Sequence, residues 1–324
     1  MKQAIIAAAV FAGLGGASWA QGPVFAQWFA QSPASNPPAA SSNVVSVYIV
    51  GGSTMRKLGA TNLENQATAT AYGGTAAGVC IGGGFVYQAG ATSNSVNQYL
   101  ASDLTFVNKT PNLGQSVADV IFAGGDVFAH IGTSNTVLRI NTNTMTVTQS
   151  VAGAGTSGQL ATDGTYIYAI GAAVRKYSAS VLALQTSASV AASSIATDGT
   201  WVYLGRTGGI IEKRNASNLA LVATNAPVRE GSISELALSP DGATLFAGVA
   251  TTNAIEKFAT ADLSWQATSL SAGTPGALAT DGTWIWSGSS SGSSPVRRWL
   301  CSDLTQQTNS ASIGTLQDIT ILWQ

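Results

Sequence analysis

One short motif recurs seven times in this chain and constrains its fold more than any other feature. Each copy has an apolar residue, a spacer, a usually basic residue and a bulky residue, followed five residues later by Leu or Met. The seven anchors at the end of the copies are Leu63, Leu104, Met145, Leu182, Leu219, Leu263 and Leu304. A period near forty residues in a chain of short strands is typical of a β-propeller. We therefore predict an all-β fold over residues 44–324, a seven-bladed propeller with four antiparallel strands in each blade.

Each repeat divides into four predicted strands. The innermost is short and rich in small residues, as in Leu160-Ala-Thr162, because the centre of the ring is crowded. An Asp-Gly turn follows, such as Asp163-Gly164, in which Gly accepts the positive φ of a tight hairpin. The second strand carries aromatic residues, as in Tyr166-Ile-Tyr168, the third is the recurring motif, and the fourth is polar, as in residues 146–150.

The two ends of the repeat region predict how the ring closes. Residues 316–323 (LQDITILW) align with an innermost strand, whereas the first repeat begins at its second strand, near Val44. We therefore expect the C-terminal strand to complete the first blade and to remove the open edge that a ring would otherwise leave.

The first 43 residues read as separate segments. Residues 1–20 have a Lys, an apolar run and a small-x-small site at Ser18-Trp19-Ala20, the pattern of a secretory signal. If Met1 is retained in the mature protein, the same segment is better read as an apolar docking arm. Residues 21–43 contain three aromatic residues and a Pro/Ser/Ala-rich stretch, which predicts an extended arm or linker.

Composition excludes some classes of partner. Only 9% of the residues are charged, against roughly 25% in an average domain, and the formal net charge is −1. Such a chain offers no field for nucleic acid or an anionic membrane, and its apolar run is too short to span a bilayer. The two cysteines, Cys80 and Cys301, fall at different radii of non-adjacent blades, so we predict two free thiols.

The residues 135–144 (NTVLRINTNT), followed by residues 158–168 (GQLATDGTYIY), resemble the YVTN-type family of seven-bladed propellers. Residues 239–246 (SPDGATLF) are the closest single match. The resemblance covers residues 44–324 and implies the fold. It implies little about activity, because that family includes surface-layer proteins, binding modules and a few enzymes.

The recurring basic position invites a reading as an anion-binding ring. A residue that recurs once per blade at the same radius is better explained as a structural device, with a long stem that covers the neighbouring blade and a charge in solvent. The residues are Lys57, Arg139, Lys176, Lys213, Lys257 and Arg298, with Gln98 in the second blade.

Catalytic residues are sparse in the sequence. The one histidine, His130, aligns with Gln88 and Ala169 of other repeats, and seven of the fifteen acidic residues lie in turns. The remaining acidic residues, which include Asp119 and Glu235, form no cluster in the sequence that suggests paired carboxylates or a metal site. We predict no enzymatic activity, no cofactor and no metal, although a propeller lyase is a remote alternative.

Two functional hypotheses remain. The first is a structural or recognition module on an exterior surface, such as a phage tail, fibre or decoration protein. The second is an exported periplasmic or cell-surface propeller that binds a ligand or protein partner. Both predict a protein or a cell-surface glycan as partner, bound through the long loops at residues 152–158, 226–231 and 287–294, because variable loops on a rigid scaffold carry recognition. Arg229 and Glu230 are the predicted binding residues.

Overall fold

The protein is described by a computed structural model, which covers residues 44–153, 158–225, 231–269, 272–292 and 295–323. These residues form seven four-stranded antiparallel sheets, so the predicted seven-bladed propeller is confirmed. Residues 1–43, for which we predict a signal and an arm, lie outside the described part of the chain.

Each blade runs from an innermost strand at the axis to an outermost strand at the rim. In that order, blade 1 contains β28 (Asp318–Trp323), β1 (Val44–Gly51), β2 (Thr54–Gly59) and β3 (Asn65–Thr70); blade 2, β4 (Ala76–Gly82), β5 (Phe85–Gly90), β6 (Ser95–Leu100) and β7 (Phe106–Lys109); blade 3, β8 (Val117–Ala123), β9 (Asp126–Ile131), β10 (Thr136–Asn141) and β11 (Thr146–Ala152); blade 4, β12 (Leu160–Thr162), β13 (Tyr166–Ala169), β14 (Val174–Ser178) and β15 (Leu184–Ala188); blade 5, β16 (Ser194–Thr197), β17 (Trp201–Gly205), β18 (Ile211–Asn215) and β19 (Leu221–Thr224); blade 6, β20 (Ile233–Leu238), β21 (Thr244–Val249), β22 (Ala254–Ala259) and β23 (Trp265–Ser269); and blade 7, β24 (Pro275–Thr280), β25 (Trp284–Ser289), β26 (Arg297–Leu300) and β27 (Gln306–Asn309). Two 3₁₀ turns, Thr207–Gly209 and Ala250–Thr252, lie in the connections between the second and third strands of blades 5 and 6. Within the described residues, no helix has the length and apolar character needed to cross a membrane.

The ring closes as the sequence predicts. Strand β28 pairs antiparallel with β1, with Ile321 opposite Val47 and Ile319 opposite Ile49. Both isoleucines are buried between blades 1 and 7, in a cluster that includes Trp286. The last strand of the chain therefore becomes the innermost strand of the first blade.

Because successive strands in a blade are antiparallel, the propeller has two distinct faces. The connections from the second to the third strand and from one blade to the next lie on one face, which we call the loop face. The connections from the first to the second strand and from the third to the fourth lie on the other, the turn face. The Asp-Gly turns belong to the turn face, and Gly164 has the positive φ predicted for it, at 84°.

The recurring motif builds the third strand and the turn after it. In every blade the register between the third and fourth strands shifts immediately after the basic position, for example between Lys57 and Leu58. Such a bulge bends and twists the strand. All seven Leu or Met anchors then adopt a positive φ, between 47° and 63°, with their side chains buried. A left-handed conformation costs a residue roughly 1–2 kcal/mol, and burying a Leu side chain returns about 1.5–3 kcal/mol, so burial decides the conformation of the turn.

The residue at the basic position ties each blade to the next. In all seven blades its terminal nitrogen donates a hydrogen bond to a main-chain carbonyl oxygen in the third-to-fourth-strand turn of the following blade. We call these contacts straps. They are Lys57 Nζ to Ser102 O (2.8 Å), Gln98 Nε2 to Thr142 O (3.0 Å), Arg139 Nη1 to Ser180 O, Lys176 Nζ to Ala216 O (2.8 Å), Lys213 Nζ to Thr260 O (2.7 Å), Lys257 Nζ to Ser302 O (3.0 Å) and Arg298 Nη1 to Ala60 O (3.1 Å).

The straps correct one detail of the sequence-based expectation. The residues do cover the neighbouring blade, but the side chains of Lys176 and Lys213 are buried and do not hold their charge in solvent. Carbonyl oxygens of the next blade replace water as the partners of these ammonium groups. Cys80 and Cys301 are buried in blades 2 and 7 and form no disulfide, as predicted.

Deletion of residues 316–324 tests the closure. We expect the truncated chain to lose the cooperative thermal transition of the full-length protein, because β1 becomes an open edge and the cluster around Trp286 is exposed. A synthetic peptide of residues 316–324 should restore the transition when added in excess, and a scrambled peptide should not. An unchanged melting temperature after deletion would contradict the topology.

Substitution of a buried strap tests its contribution. Lys213→Met leaves two carbonyl oxygens, those of Thr260 and Ala261, without their donor. We expect a loss of about 1–3 kcal/mol in the free energy of unfolding, measured by urea denaturation. Lys57→Met is the matched control, because its hydrogen bond to Ser102 O is exposed and water can replace it. Equal losses in the two variants would show that burial of the strap is irrelevant.

Candidate functional site

The seven innermost strands surround a central cavity of about 250 Å³. In each blade, one residue at the innermost strand lies opposite the residue that is two positions after the buried aromatic of the second strand. These seven residues form a single level close to the loop face. Three of the seven residues at this level are acidic, and we call the level the acidic ring. Its members, in blade order, are Asp318, Gly78, Asp119, Gln159, Ser194, Glu235 and Ala277.

Backbone irregularities place two of the acidic residues at this level. The register between the first and second strands shifts between Val117 and Asp119 in blade 3, and between Ile233 and Glu235 in blade 6. A bulge of this kind re-aims a side chain at the end of a strand. Asp318 instead occupies the first position of the closing strand, β28.

The two aspartates bridge neighbouring blades in the same way. Asp318 accepts hydrogen bonds from its own neighbour, the N–H of Ile319 (2.7 Å), and from the N–H of Val79 in blade 2 (2.7 Å). Asp119 likewise accepts from Val120 N–H (2.8 Å) and from Leu160 N–H in blade 4 (2.8 Å). Each carboxylate thus joins the innermost strands of two blades.

Gln159 and Gly78 accommodate the carboxylates of Glu235 and Asp119. Glu235 accepts a hydrogen bond of 2.7 Å from the side-chain amide of Gln159, two blades away. Gly78 lies beside Asp119, and a Cβ atom there would stand 2.7 Å from Asp119 Oδ1. A side chain in blade 2 would therefore displace the carboxylate of blade 3.

Burial raises the pKa of all three carboxyl groups. For Asp318, loss of hydration outweighs the two N–H donors and raises the pKa to about 7. Burial raises the pKa of Asp119 well above its usual range, and the negative charge of Asp318 raises it further. Burial does the same for the pKa of Glu235, to which both aspartates add their repulsion.

No Lys, Arg or His lines the cavity among the residues that the structure describes. Cys80, in the wall of the same cavity, is the other titratable group. A search of the same part of the chain for three or more His, Cys, Asp or Glu placed to hold a metal ion finds none. The raised pKa of Asp318, about 7, suits the binding and release of a proton at near-neutral pH.

The loops predicted to bind a partner converge on the same side of the molecule. Residues 152–158 and 226–231 connect blades, and residues 287–294 connect the second and third strands of blade 7, so all three connections belong to the loop face. The predicted binding residues Arg229 and Glu230 lie outside the described residues, as do residues 154–157, 226–228 and 293–294 of the three loops. Of the described flanks, Gly158 directly precedes the ring residue Gln159, and Gly231 lies four residues before the ring residue Glu235.

Sequence reasoning treated Asp119 and Glu235 as unclustered and did not consider Asp318 as a site residue. Each of these residues directly precedes an apolar residue of an innermost strand, as Gln159 precedes Leu160. Aligning that single position across the repeats is the signal that would have found the ring.

The position of His130 requires a correction. It pairs with Val137 as Ala89 pairs with Val96, so it corresponds to Ala89 and lies one residue beyond the predicted equivalent, Gln88. His130 is fully buried on β9, opposite Asp119 in the register between β8 and β9.

Comparisons with known proteins support the fold alone. A scan against protein-family models finds no match, and a search of curated protein sequences finds no significant similarity. Among solved structures, the chain is similar to one in a crystal structure of the mitotic checkpoint complex, with a TM-score of 0.63 and 16% identity over 72% of this chain and 76% of that one. It is also similar to the computationally designed Ika8 protein, with a TM-score of 0.66 and 10% identity over 88% of this chain and 95% of that one.

The acidic ring predicts an unusual dependence of stability on pH. The folded pKa values are raised above those of the unfolded chain, so the folded state binds more protons between about pH 4 and 7, and stability falls as the pH rises through this range. We expect the free energy of unfolding, measured with urea, to decrease by at least about 1 kcal/mol from pH 5 to pH 7 because of the ring.

Glu235→Gln is the matched variant for this measurement. Its amide oxygen can still accept the hydrogen bond from Gln159, but it cannot ionise. We expect a shallower dependence on pH than in the unmodified protein, and the difference between the two curves gives the contribution of Glu235 together with its repulsion of the two aspartates. Parallel curves would show that Glu235 does not titrate differently in the folded state.

Proposed function

We propose that this propeller is a non-enzymatic recognition module that acts on an exterior surface and binds its partner through the loop face. The observation that carries the proposal is the contrast between the two faces. The turn face has the same third-to-fourth-strand turn in every blade, each fixed by a buried anchor and held by a strap. The loop face carries the connections that break the repeat length.

The scaffold beneath the loop face supports this role. Seven straps and the closing strand β28 hold the blades in one ring, so the ends of the loops are fixed in position. Loops of variable length on a rigid scaffold are the usual carriers of binding specificity. The partner we propose is a protein or a cell-surface glycan.

Two settings are compatible with this role. In the first, the propeller is part of a virion, as a phage tail, fibre or decoration protein, and Met1 is retained. In the second, it is an exported periplasmic or cell-surface protein of the YVTN type, and residues 1–20 are removed. The low charge and the high content of Ser, Thr, Gly and Ala support an exterior location in both. The intact mass and N-terminal sequence of the natural protein distinguish a chain that starts at Met1 from one that starts at Gln21.

Replacement of loops on each face tests the proposal. In one variant a short Asn-Gly hairpin replaces residues 290–294, the part of the predicted loop that follows β25, and in the control Asn-Gly replaces the Gly83-Gly84 turn on the opposite face. Fluorescently labelled proteins are then applied to an array of printed bacterial cell-surface glycans and to intact bacterial cells. We expect the loop-face variant to lose at least about tenfold in retained signal, with the control unchanged and both melting temperatures close to that of the unmodified protein.

The opposite pattern, in which the Gly83-Gly84 variant loses binding and the loop-face variant does not, would place recognition on the turn face. If no glycan and no cell retains the unmodified protein, the proposed binding to bacterial cell-surface glycans and cells is wrong. Product formation by the purified protein from any of these glycans would contradict the non-enzymatic assignment.

A further inference from the structure

Three blades contain the same pair of side chains on the turn face. In blade 4 the ammonium group of Lys176 lies 3.6 Å from the ring centroid of Tyr166. In blade 5 Lys213 lies 4.4 Å from the ring of Trp201, and in blade 7 Arg298 lies 4.3 Å from that of Trp284. The aromatic residue opens the second strand in each case, and the cation is the strap residue. A cation over an aromatic face at these distances is attracted to it.

Blade 6 has the cation without the ring. Lys257 occupies the strap position, but the residue that opens the second strand, in the register of Tyr166, is Thr244. Blade 3 replaces the aromatic by Asp126, whose carboxylate forms an ion pair of 2.7 Å with Arg139. In blade 1 the same position is Ser46, whose hydroxyl donates to Gln66 Oε1 at 3.5 Å.

The missing ring leaves a recess of about 300 Å³ between blades 6 and 7. A cavity of about 150 Å³ is large enough to bind benzene. Phe246, which is fully buried, and the buried Cys301 lie in its apolar wall, and Lys257 lines it from the strap position. The recess is open on the turn face, where Asp241 and Ser302 are exposed.

The rim adds hydrogen-bond acceptors. Asp241 already accepts from Ser239 Oγ (2.5 Å) and from Ala243 N–H (3.0 Å), which fix its carboxylate at the edge of the recess. A carboxylate in this position suits a ring that carries a hydrogen-bond donor, such as a phenol O–H or an indole N–H.

We propose that this recess is a binding site for an aromatic side chain of a partner protein, a tyrosine or a tryptophan. The incoming ring takes the place that Tyr166, Trp201 and Trp284 fill in the other blades, with one face beneath Lys257 and its polar edge towards Asp241. The site lies on the turn face, so it is separate from the recognition surface proposed above and does not depend on it.

The test uses p-cresol, the side chain of tyrosine, as the probe. Titration of the full-length protein is followed by two-dimensional ¹H–¹⁵N NMR. We expect millimolar binding at one site, with shifts at the amides of Thr244, Thr283 and Ser302. In Thr244→Tyr the protein's own ring fills the recess, so these shifts should disappear and the melting temperature should rise by about 1–2 °C.

A second variant creates the site where it is absent. Tyr166→Thr in blade 4 removes the ring beneath Lys176, and we expect a second set of shifts there, at the amides of Thr200 and Ser217, with the blade 6 site unchanged. Lys257→Met should weaken binding at blade 6 by about two- to fivefold, the contribution of one cation to an aromatic ring.

Three results would overturn the proposal. They are no shifts at blade 6 in the unmodified protein, undiminished shifts in Thr244→Tyr, and equal affinity for p-cresol and for cyclohexanol. Cyclohexanol also carries a hydroxyl and has a similar size, but it has no aromatic face and is a weaker donor, so equal affinity would mean that the recess binds any apolar group. The NMR spectrum also reports whether each variant is folded.

Discussion

The strap between neighbouring blades is the interaction on which the rest of the ring depends. In each blade the donor is the third-strand residue, and the acceptor is a carbonyl oxygen two or three residues before the Leu or Met anchor of the next blade, as Lys57 meets Ser102 ahead of Leu104. The buried anchor fixes the turn that presents this carbonyl. One copy of the motif is therefore a donor towards the next blade and an acceptor from the previous one, which explains why its internal spacing is constant while the segments between copies vary.

The acidic ring lies in the central cavity of the propeller, where burial makes ionised carboxyl groups costly to the stability of the fold. Three carboxyl groups share a cavity that no Lys, Arg or His among the described residues lines, and burial and mutual repulsion both disfavour their charged forms. The N–H groups of Val79 and Leu160, each supplied by a neighbouring blade, hold Asp318 and Asp119 in place. Because the closing strand contributes Asp318, the titration of the ring and the closure of the propeller are physically coupled. Residues that lower the stability of the fold in this way are typical of functional positions.

The sequence predicts the features that recur in every blade, but it does not predict the contacts that form between residues of different blades. The number of blades, the four strands in each, the closing strand and the fixed position of the strap residues follow from patterns of short range, such as Leu160-Ala-Thr162 and Asp163-Gly164. The contact of Asp119 with Leu160, or of Glu235 with Gln159 76 residues away, depends on how blades are arranged around the axis. The alignment of His130 with Gln88 was wrong by one residue, although the sequence holds the correct register, because His130 and Ala89 each lie seven residues before the first residue of the recurring motif.

A repeat protein provides its own controls, because each position is sampled seven times in nearly the same surroundings. Lys176, Lys213 and Arg298 show what the space beneath a strap cation holds when it is filled, so Thr244 can be recognised as a departure and the chemistry of the missing group can be read from its counterparts. The same comparison separates Asp119, Glu235 and Asp318 from the Gly, Ser, Gln and Ala at equivalent positions. The structural role at each position is defined by what the blades share, and the two sites are defined by positions at which the blades differ.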